Sequence, residues 1–291
     1  MVTKSGFCFG VKRAINIARQ IRREKKGKVF TFGDLIHNQQ VVENLRKEGI
    51  ESIDDISQIK GGTIIIRSHG ISPHIFQQLV DKGIEVIDAT CPFVKKSQKL
   101  VKKLADEDYE IIIVGNKPHP EIKGLIGFSQ GKEVVIKSEE EVDLLPKKNK
   151  RGVIAQSTQD ITLYQKIVSK LIEKTRELKV FNTICDSTQI RQKATAQLAA
   201  QVDIMLIIGD RKSSNTNKLY NLAKRIQENT YFIEKTDNLT PKMIAFAEEI
   251  GVSAGASTPH ELIMEVVERI KEIKKSKSNQ QIEENLIQWM N

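Results

Sequence analysis

Short, almost wholly apolar runs alternate along the chain with longer stretches whose apolar residues recur every three or four positions. The runs Val29–Phe32, Thr63–Arg67, Glu85–Ala89, Glu110–Val114, Gly152–Ala155, Asp203–Ile208 and Gly251–Ala254 are rich in β-branched residues, with Val134–Lys137 a further candidate. Runs that are apolar on both faces predict strands buried in parallel sheets. The stretches between them carry helical stripes: Val41, Val42 and Leu45; Leu163, Ile167, Leu171 and Leu178 with Val168 and Ile172; Leu219, Leu222, Ala223 and Ile226. This alternation predicts an α/β fold with right-handed crossovers. Segment 147–152 reads as a polar loop and 274–279 as a polar, mobile tail. Segment 282–289 holds the chain's only tryptophan and reads as a lid or an edge-packed element.

Three cysteines punctuate this pattern. Cys8 lies in Ser-Gly-Phe-Cys-Phe-Gly-Val-Lys-Arg, Cys91 in Asp-Ala-Thr-Cys-Pro and Cys185 in Asn-Thr-Ile-Cys-Asp-Ser-Thr. They stand 83 and 94 positions apart, and each interval is the size of one small α/β domain. We therefore expect three lobes: residues 10–91, residues 92–184, and residues 1–9 with 185–291. Three thiols suit neither paired disulfides nor the four-ligand sets of structural zinc. Two readings stay open on spacing alone. The thiols are small buried hydrophobes, or they converge to hold most of an iron–sulfur cluster with one iron left open.

Composition narrows the setting. The chain of 291 residues is long enough for a sizeable core in two or three domains. No apolar stretch reaches the roughly 20 residues of a membrane helix, and the N-terminus lacks the apolar core of an export signal. A cytoplasmic location and no membrane partner are the expectation, and reduced thiols follow. The net charge is +9. Nucleic-acid binding is one reading of that excess, but the lysines are dispersed and no basic run is interleaved with aromatics. The expectation is no nucleic-acid partner and a surface that draws small anions and acidic proteins.

The chemistry-bearing residues share a position, just after a predicted strand and just before a helix. In parallel sheets that is the carboxyl edge, where ligands bind and helix N-termini face anions. His37, His69 and His119 occupy such turns, with Glu121 in the same loop as His119. Ser213, Ser214 and Asn215 follow another strand, Ser257 another, and Gln156, Ser157 and Thr158 another. A helix cap needs only one such residue, so these clusters suggest donors aimed at phosphate oxygens. No Walker loop or Gly-x-Gly-x-x-Gly is present, which argues against a nucleotide. Glu121 is the candidate proton donor. His74 and His260 fall in first turns of helices and read as structural.

In order, the chain contains Gly-Phe-Cys-Phe-Gly-Val-Lys-Arg-Ala, Ile-His-Asn, Ser-His-Gly, Asp-Ala-Thr-Cys-Pro, His-Pro-Glu, Ser-Ser-Asn-Thr-Asn and Gly-Ala-Ser-Thr-Pro. Together, over residues 5 to 270, these resemble the 4-hydroxy-3-methylbut-2-enyl diphosphate reductase family of the methylerythritol phosphate route to isoprenoids. The resemblance implies three α/β lobes arranged pseudo-threefold around a central 4Fe–4S cluster. It implies Cys8, Cys91 and Cys185 as the cluster ligands, with a 3Fe–4S form after oxidative loss of the open iron. The substrate hydroxyl would meet that iron. The diphosphate would be held by His37, His69, His119, Ser213, Ser214, Asn215 and Ser257. Glu121 would donate the proton, assisted by Ser157, where the family commonly has threonine. Isopentenyl and dimethylallyl diphosphate are the implied products. Reduced ferredoxin or flavodoxin is the expected electron donor. A non-redox iron–sulfur hydro-lyase and a basic nucleic-acid-binding protein with structural cysteines are the rival readings.

Overall fold

The computed structural model describes residue 2 and residues 5–290, with side chains described up to residue 276. Segment 282–289, and with it the lid reading, lies outside the residues whose side chains are described. The chain divides into two compact units, Cys8–Gln189 and Met1–Phe7 with Ile190–Asn291.

The first unit begins α1 (Phe9–Glu24), β1 (Val29–Phe32), α2 (Gln39–Lys47), β2 (Ile50–Ile53), β3 (Thr63–Ile66), α3 (Pro73–Asp81) and β4 (Glu85–Asp88). It continues with α4 (Pro92–Asp106), β5 (Glu110–Val114), α5 (Pro120–Ile126), β6 (Glu133–Ile136), α6 (Glu140–Asp143), β7 (Lys148–Ala155), α7 (Ile161–Glu173) and β8 (Thr175–Val180). Helix α8 (Asp186–Ala199) leads into the second unit. There follow β9 (Ile204–Ile208), α9 (Ser214–Ile226), β10 (Thr230–Ile233), α10 (Pro241–Ile244), β11 (Ile250–Ala254) and α11 (His260–Met290). No helix among the described residues is long and apolar enough to cross a membrane.

The strands form three parallel sheets, ordered β2-β1-β3-β4, β6-β5-β7-β8 and β10-β9-β11. The α/β expectation holds, and every sheet is parallel throughout. The central strands are the buried apolar runs: Ile111, Ile112, Ile113 and Val114 are fully shielded, as are Met205, Leu206, Ile207 and Ile208. Their alternate residues feed cores on opposite faces. Ile112 and Val114 pack with Ile167 and Leu171, while Ile111 and Ile113 pack with Leu104 and Leu125.

Three local expectations are corrected. Segment 274–279 is not a loose tail but continues α11. Leu178 belongs to β8, not to the helical stripe, because α7 ends at Glu173. Segment 147–152 is not a loop: β7 starts at Lys148, and its polar half pairs with the edge strand β8, Lys148 opposite Thr175 and Lys150 opposite Glu177. A strand end beside a solvent-facing edge tolerates lysine.

Arg151 pins that end of β7. It is wholly buried. Its Nε donates to Glu110 at 2.6 Å, Nη1 to the Lys174 carbonyl at 3.1 Å, and Nη2 to the Pro146 carbonyl at 2.6 Å. Its loss leaves the Pro146 carbonyl without that donor, while Glu110 keeps Lys148 at 3.7 Å. We expect Arg151→Ala to cost about 1–3 kcal/mol of local stability, read as amide exchange in β7 and β8 roughly ten- to hundredfold faster.

Candidate functional site

In a sheet ordered β2-β1-β3-β4, successive crossovers leave β1 and β3 in opposite directions. That opens a crevice beyond their carboxyl ends. Equivalent switch points lie between β5 and β7 and between β9 and β11. The singled-out turns fall at these points. His37 follows β1 and His69 follows β3; His119 and Glu121 follow β5 and Ser157 follows β7; Ser213–Asn215 follow β9 and Ser257 follows β11.

Within the first unit the three histidines come together. The ring centroids of His37 and His69 are 4.3 Å apart, those of His37 and His119 5.1 Å, and those of His69 and His119 5.4 Å. One nitrogen of each lies within 4.8 Å of the others. A metal ion or an anion could be held by such a set, and His119 discriminates between them. Its Nδ1 accepts the Glu121 N–H at 3.1 Å as the cap of α5. The ring proton of the neutral imidazole is thereby placed on Nε2, which becomes a donor. A donor suits a phosphate oxygen, whereas a metal requires a lone pair there. Burial, the two other imidazoles and the Arg67 guanidinium hold the His69 pKa well below the usual histidine range. Its Nδ1 is buried and has no hydrogen-bond partner among the described residues.

Glu121 is buried, and both carboxylate oxygens are held by one residue. The Ser157 N–H donates to Oε1 at 2.6 Å, and the Ser157 hydroxyl donates to Oε2 at 2.7 Å. His119 and Glu121 are therefore a cap and its first turn. The sequence Pro-His-Pro-Glu produces this because Pro120 fits the first helical position.

The three cysteines also share a role. Each carbonyl accepts a first-turn helical bond: Cys8 from Lys12 N–H at 2.9 Å, Cys91 from Lys95 N–H at 3.0 Å, and Cys185 from Gln189 N–H at 3.1 Å. Each thiol thus stands at a helix N-terminus. Burial raises the Cys91 and Cys185 thiol pKa values, while first-turn amides (Phe93 and Val94; Ser187 and Thr188) act against it. The thiols are close enough for Cys91 to feel both Cys8 and Cys185, and all three are unpaired by disulfides. Backbone bonds tie them to the polar residues: the Cys91 N–H donates to the Ser68 carbonyl beside His69, and the Cys185 N–H donates to the Ser157 carbonyl. Three soft thiol donors at helix starts fit an iron–sulfur cluster.

Gly10 was not singled out by sequence reasoning, although it lies two residues past Cys8. A Cβ there would lie 2.6 Å from the Cys91 Sγ and 4.0 Å from the Cys8 Sγ. We expect Gly10→Ala to leave the chain folded but to lower its bound iron and sulfide at least about tenfold, a loss of the size seen when groups supporting metal ligands are disturbed. Arg67 was also missed. It carries a guanidinium against Gly33 and Asp54, two residues from His69.

In the second unit, Ser213 caps α9 by accepting the Thr216 N–H at 3.3 Å, and the Ser257 hydroxyl lies 3.5 Å from that of Ser213. Ser214 opens α9 and is half-buried. The Asn215 side chain is buried, and neither its Nδ2 nor its Oδ1 has a partner among the described residues. A buried amide without partners is costly unless a ligand completes it.

These features define an α/β protein with three thiols at helix starts and polar side chains gathered at the carboxyl edges of its sheets. The chain belongs to the LytB family, whose model matches residues 1–271; these are oxidoreductases of isoprenoid biosynthesis. Among its relatives is the 4-hydroxy-3-methylbut-2-enyl diphosphate reductase of Geobacter metallireducens, 42% identical over 96% of this chain and 99% of that protein. The Aquifex aeolicus protein of the same name is 42% identical over 92% of this chain and 94% of its own length. A solved structure of (E)-4-hydroxy-3-methyl-but-2-enyl diphosphate reductase is 41% identical, with a TM-score of 0.69, covering 93% of this chain and 98% of that one. The Plasmodium falciparum E-1-hydroxy-2-methyl-but-2-enyl-4-diphosphate reductase is 29% identical with a TM-score of 0.87, covering 91% and 85%.

Proposed function

We propose that the chain reduces (E)-4-hydroxy-3-methylbut-2-enyl diphosphate to isopentenyl and dimethylallyl diphosphate. The substrate's C–O bond breaks and a C–H bond forms. Two electrons and two protons are consumed, and the oxygen leaves as water. The observation that carries this reading is the joining, in one unit, of three helix-start thiols to the histidine set and to the buried Glu121–Ser157 pair. When bound by Cys8, Cys91 and Cys185, a 4Fe–4S cluster supplies electrons and Lewis acidity.

The remaining roles belong to side chains. His37, His69 and His119 bind diphosphate oxygens, His119 through its Nε2–H. That anchorage fixes where the hydroxyl end lies, an orientation effect. Ser157 holds the Glu121 carboxyl, and Glu121 delivers the proton to the departing oxygen. Ser213, Ser214, Asn215 and Ser257 offer hydroxyl and amide groups suited to phosphate oxygens on the second unit. On this reading the lobes are residues 10–91, residues 92–184 and residues 1–9 with 185–291. The electrons come from reduced ferredoxin or flavodoxin.

The test is anaerobic. Protein purified without oxygen is given the hydroxylated allylic diphosphate with and without a reduced viologen dye. Formation of both products only with the dye supports the proposal. Consumption of substrate without added electrons overturns it in favour of a hydro-lyase.

A further inference from the structure

Two large apolar side chains stand open to solvent immediately beside the thiols. Phe9 follows Cys8 and is 64% exposed; Phe93 lies two residues past Cys91 and is 43% exposed. Single exposed apolar residues are ordinary. These two are not scattered. Gly10 lies against the Cys91 side chain, and Arg13 Nη1 donates to the Thr90 carbonyl at 3.1 Å, so the starts of α1 and α4 sit side by side. Both phenylalanines therefore stand at neighbouring helix starts that carry Cys8 and Cys91.

Each is followed, three residues on, by an exposed lysine on the same helix face: Lys12 after Phe9 and Lys96 after Phe93. Lys99 extends the second row and is also exposed. None of the three lysines forms an ion pair with a carboxylate among the described residues. Lys95, by contrast, is neutralised by Asp88 at 2.6 Å. The surface around Cys8 and Cys91 is thus a small aromatic centre with an uncompensated basic rim, on a chain of net charge +9. Aromatic residues are favoured at interface centres, redox encounters use small interfaces, and complementary charge governs how such partners meet.

We propose that Phe9, Phe93, Lys12, Lys96 and Lys99 form the docking surface for a small acidic electron-carrier protein, delivering electrons at the α1 and α4 starts. This rests on the reductive reading above. The start of α8, where Cys185 is followed by the exposed Asp186, offers no aromatic and carries the opposite charge. The carrier therefore approaches over Cys8 and Cys91 and not over Cys185.

The test compares cluster-loaded wild type with the Lys12→Glu/Lys96→Glu variant and, separately, with Phe9→Ser/Phe93→Ser. Binding of a strongly acidic ferredoxin is measured by calorimetry, and turnover is measured with that ferredoxin and with reduced viologen. The charge reversals should raise both the Kd and the KM for ferredoxin at least tenfold, and wild-type binding should weaken steeply with salt. Viologen-driven turnover should stay within twofold of wild type. Ferredoxin Kd and KM within twofold of wild type in both variants would overturn the surface. So would an RNA oligomer that binds with the same lysine dependence while ferredoxin does not. Failure of wild type to turn over with viologen sinks the reductase reading instead, and the calorimetry still decides the docking surface.

Discussion

Alanine at any one of Cys8, Cys91 or Cys185 removes the visible absorption of a cluster and lowers anaerobic turnover at least ~100-fold. Disturbing a group that merely supports a metal ligand already costs 10–100-fold, and here a ligand itself is lost. The three positions should behave alike, because each thiol occupies the same place in its element: the residue whose carbonyl starts a helix. The fold should survive all three. The cysteines are only half-buried, and a cysteine side chain at a helix start contributes little to the core. Iron and sulfide analysis beside circular dichroism separates loss of the centre from loss of structure. One variant that retains iron, sulfide and full activity would remove that cysteine from the ligand set.

The sheets were legible because their central strands are apolar on both faces. Glu110–Val114 and Asp203–Ile208 could be read directly, since a strand covered by helices on both sides has no polar face to confuse it. The strands that escaped, β2, β8 and β10, are all edges. Ile-Glu-Ser-Ile in β2 and Thr-Arg-Glu-Leu-Lys-Val in β8 leave adjacent polar residues exposed, so they lack the continuous apolar run that marks a central strand and read as loop or as the end of a helix. Leu178 reads as a continuation of the α7 stripe for that reason.

The site was legible by a different route. Histidines, serines and a glutamate at strand ends mark the carboxyl edge whatever the strand order. The order itself, which makes each pair of turns meet at a switch point, is a long-range property and leaves no local trace. The same holds for Gly10. Its neighbour across the fold is Cys91, 81 residues away along the chain, and only the tertiary structure shows why a side chain is excluded there.

Glu121→Gln separates proton delivery from binding. General acid–base catalysis is worth about 10²–10⁴-fold, so turnover should fall within that range, equivalent to about 3–5 kcal/mol at 1.36 kcal/mol per tenfold. The glutamine keeps the geometry: its carbonyl can still accept the Ser157 N–H, and the Ser157 hydroxyl can turn to accept from the new amide. The His119 cap uses the backbone N–H of residue 121 and is untouched. Cluster content and affinity for the diphosphate should therefore match wild type while kcat collapses. Ser157→Ala probes the same pair from the other side. It leaves the backbone bond to Oε1 and deletes only the hydroxyl bond to Oε2, and the expected fall is at least about tenfold, since a hydrogen bond to a charged group contributes about 1.5–3 kcal/mol. Ser157→Thr restores the hydroxyl with a more restricted rotamer and should recover wild-type turnover. Equal kcat in wild type and Glu121→Gln would take the proton donor's role from Glu121. Wild-type turnover in Ser157→Ala would show that the site does not need the hydroxyl bond to Glu121.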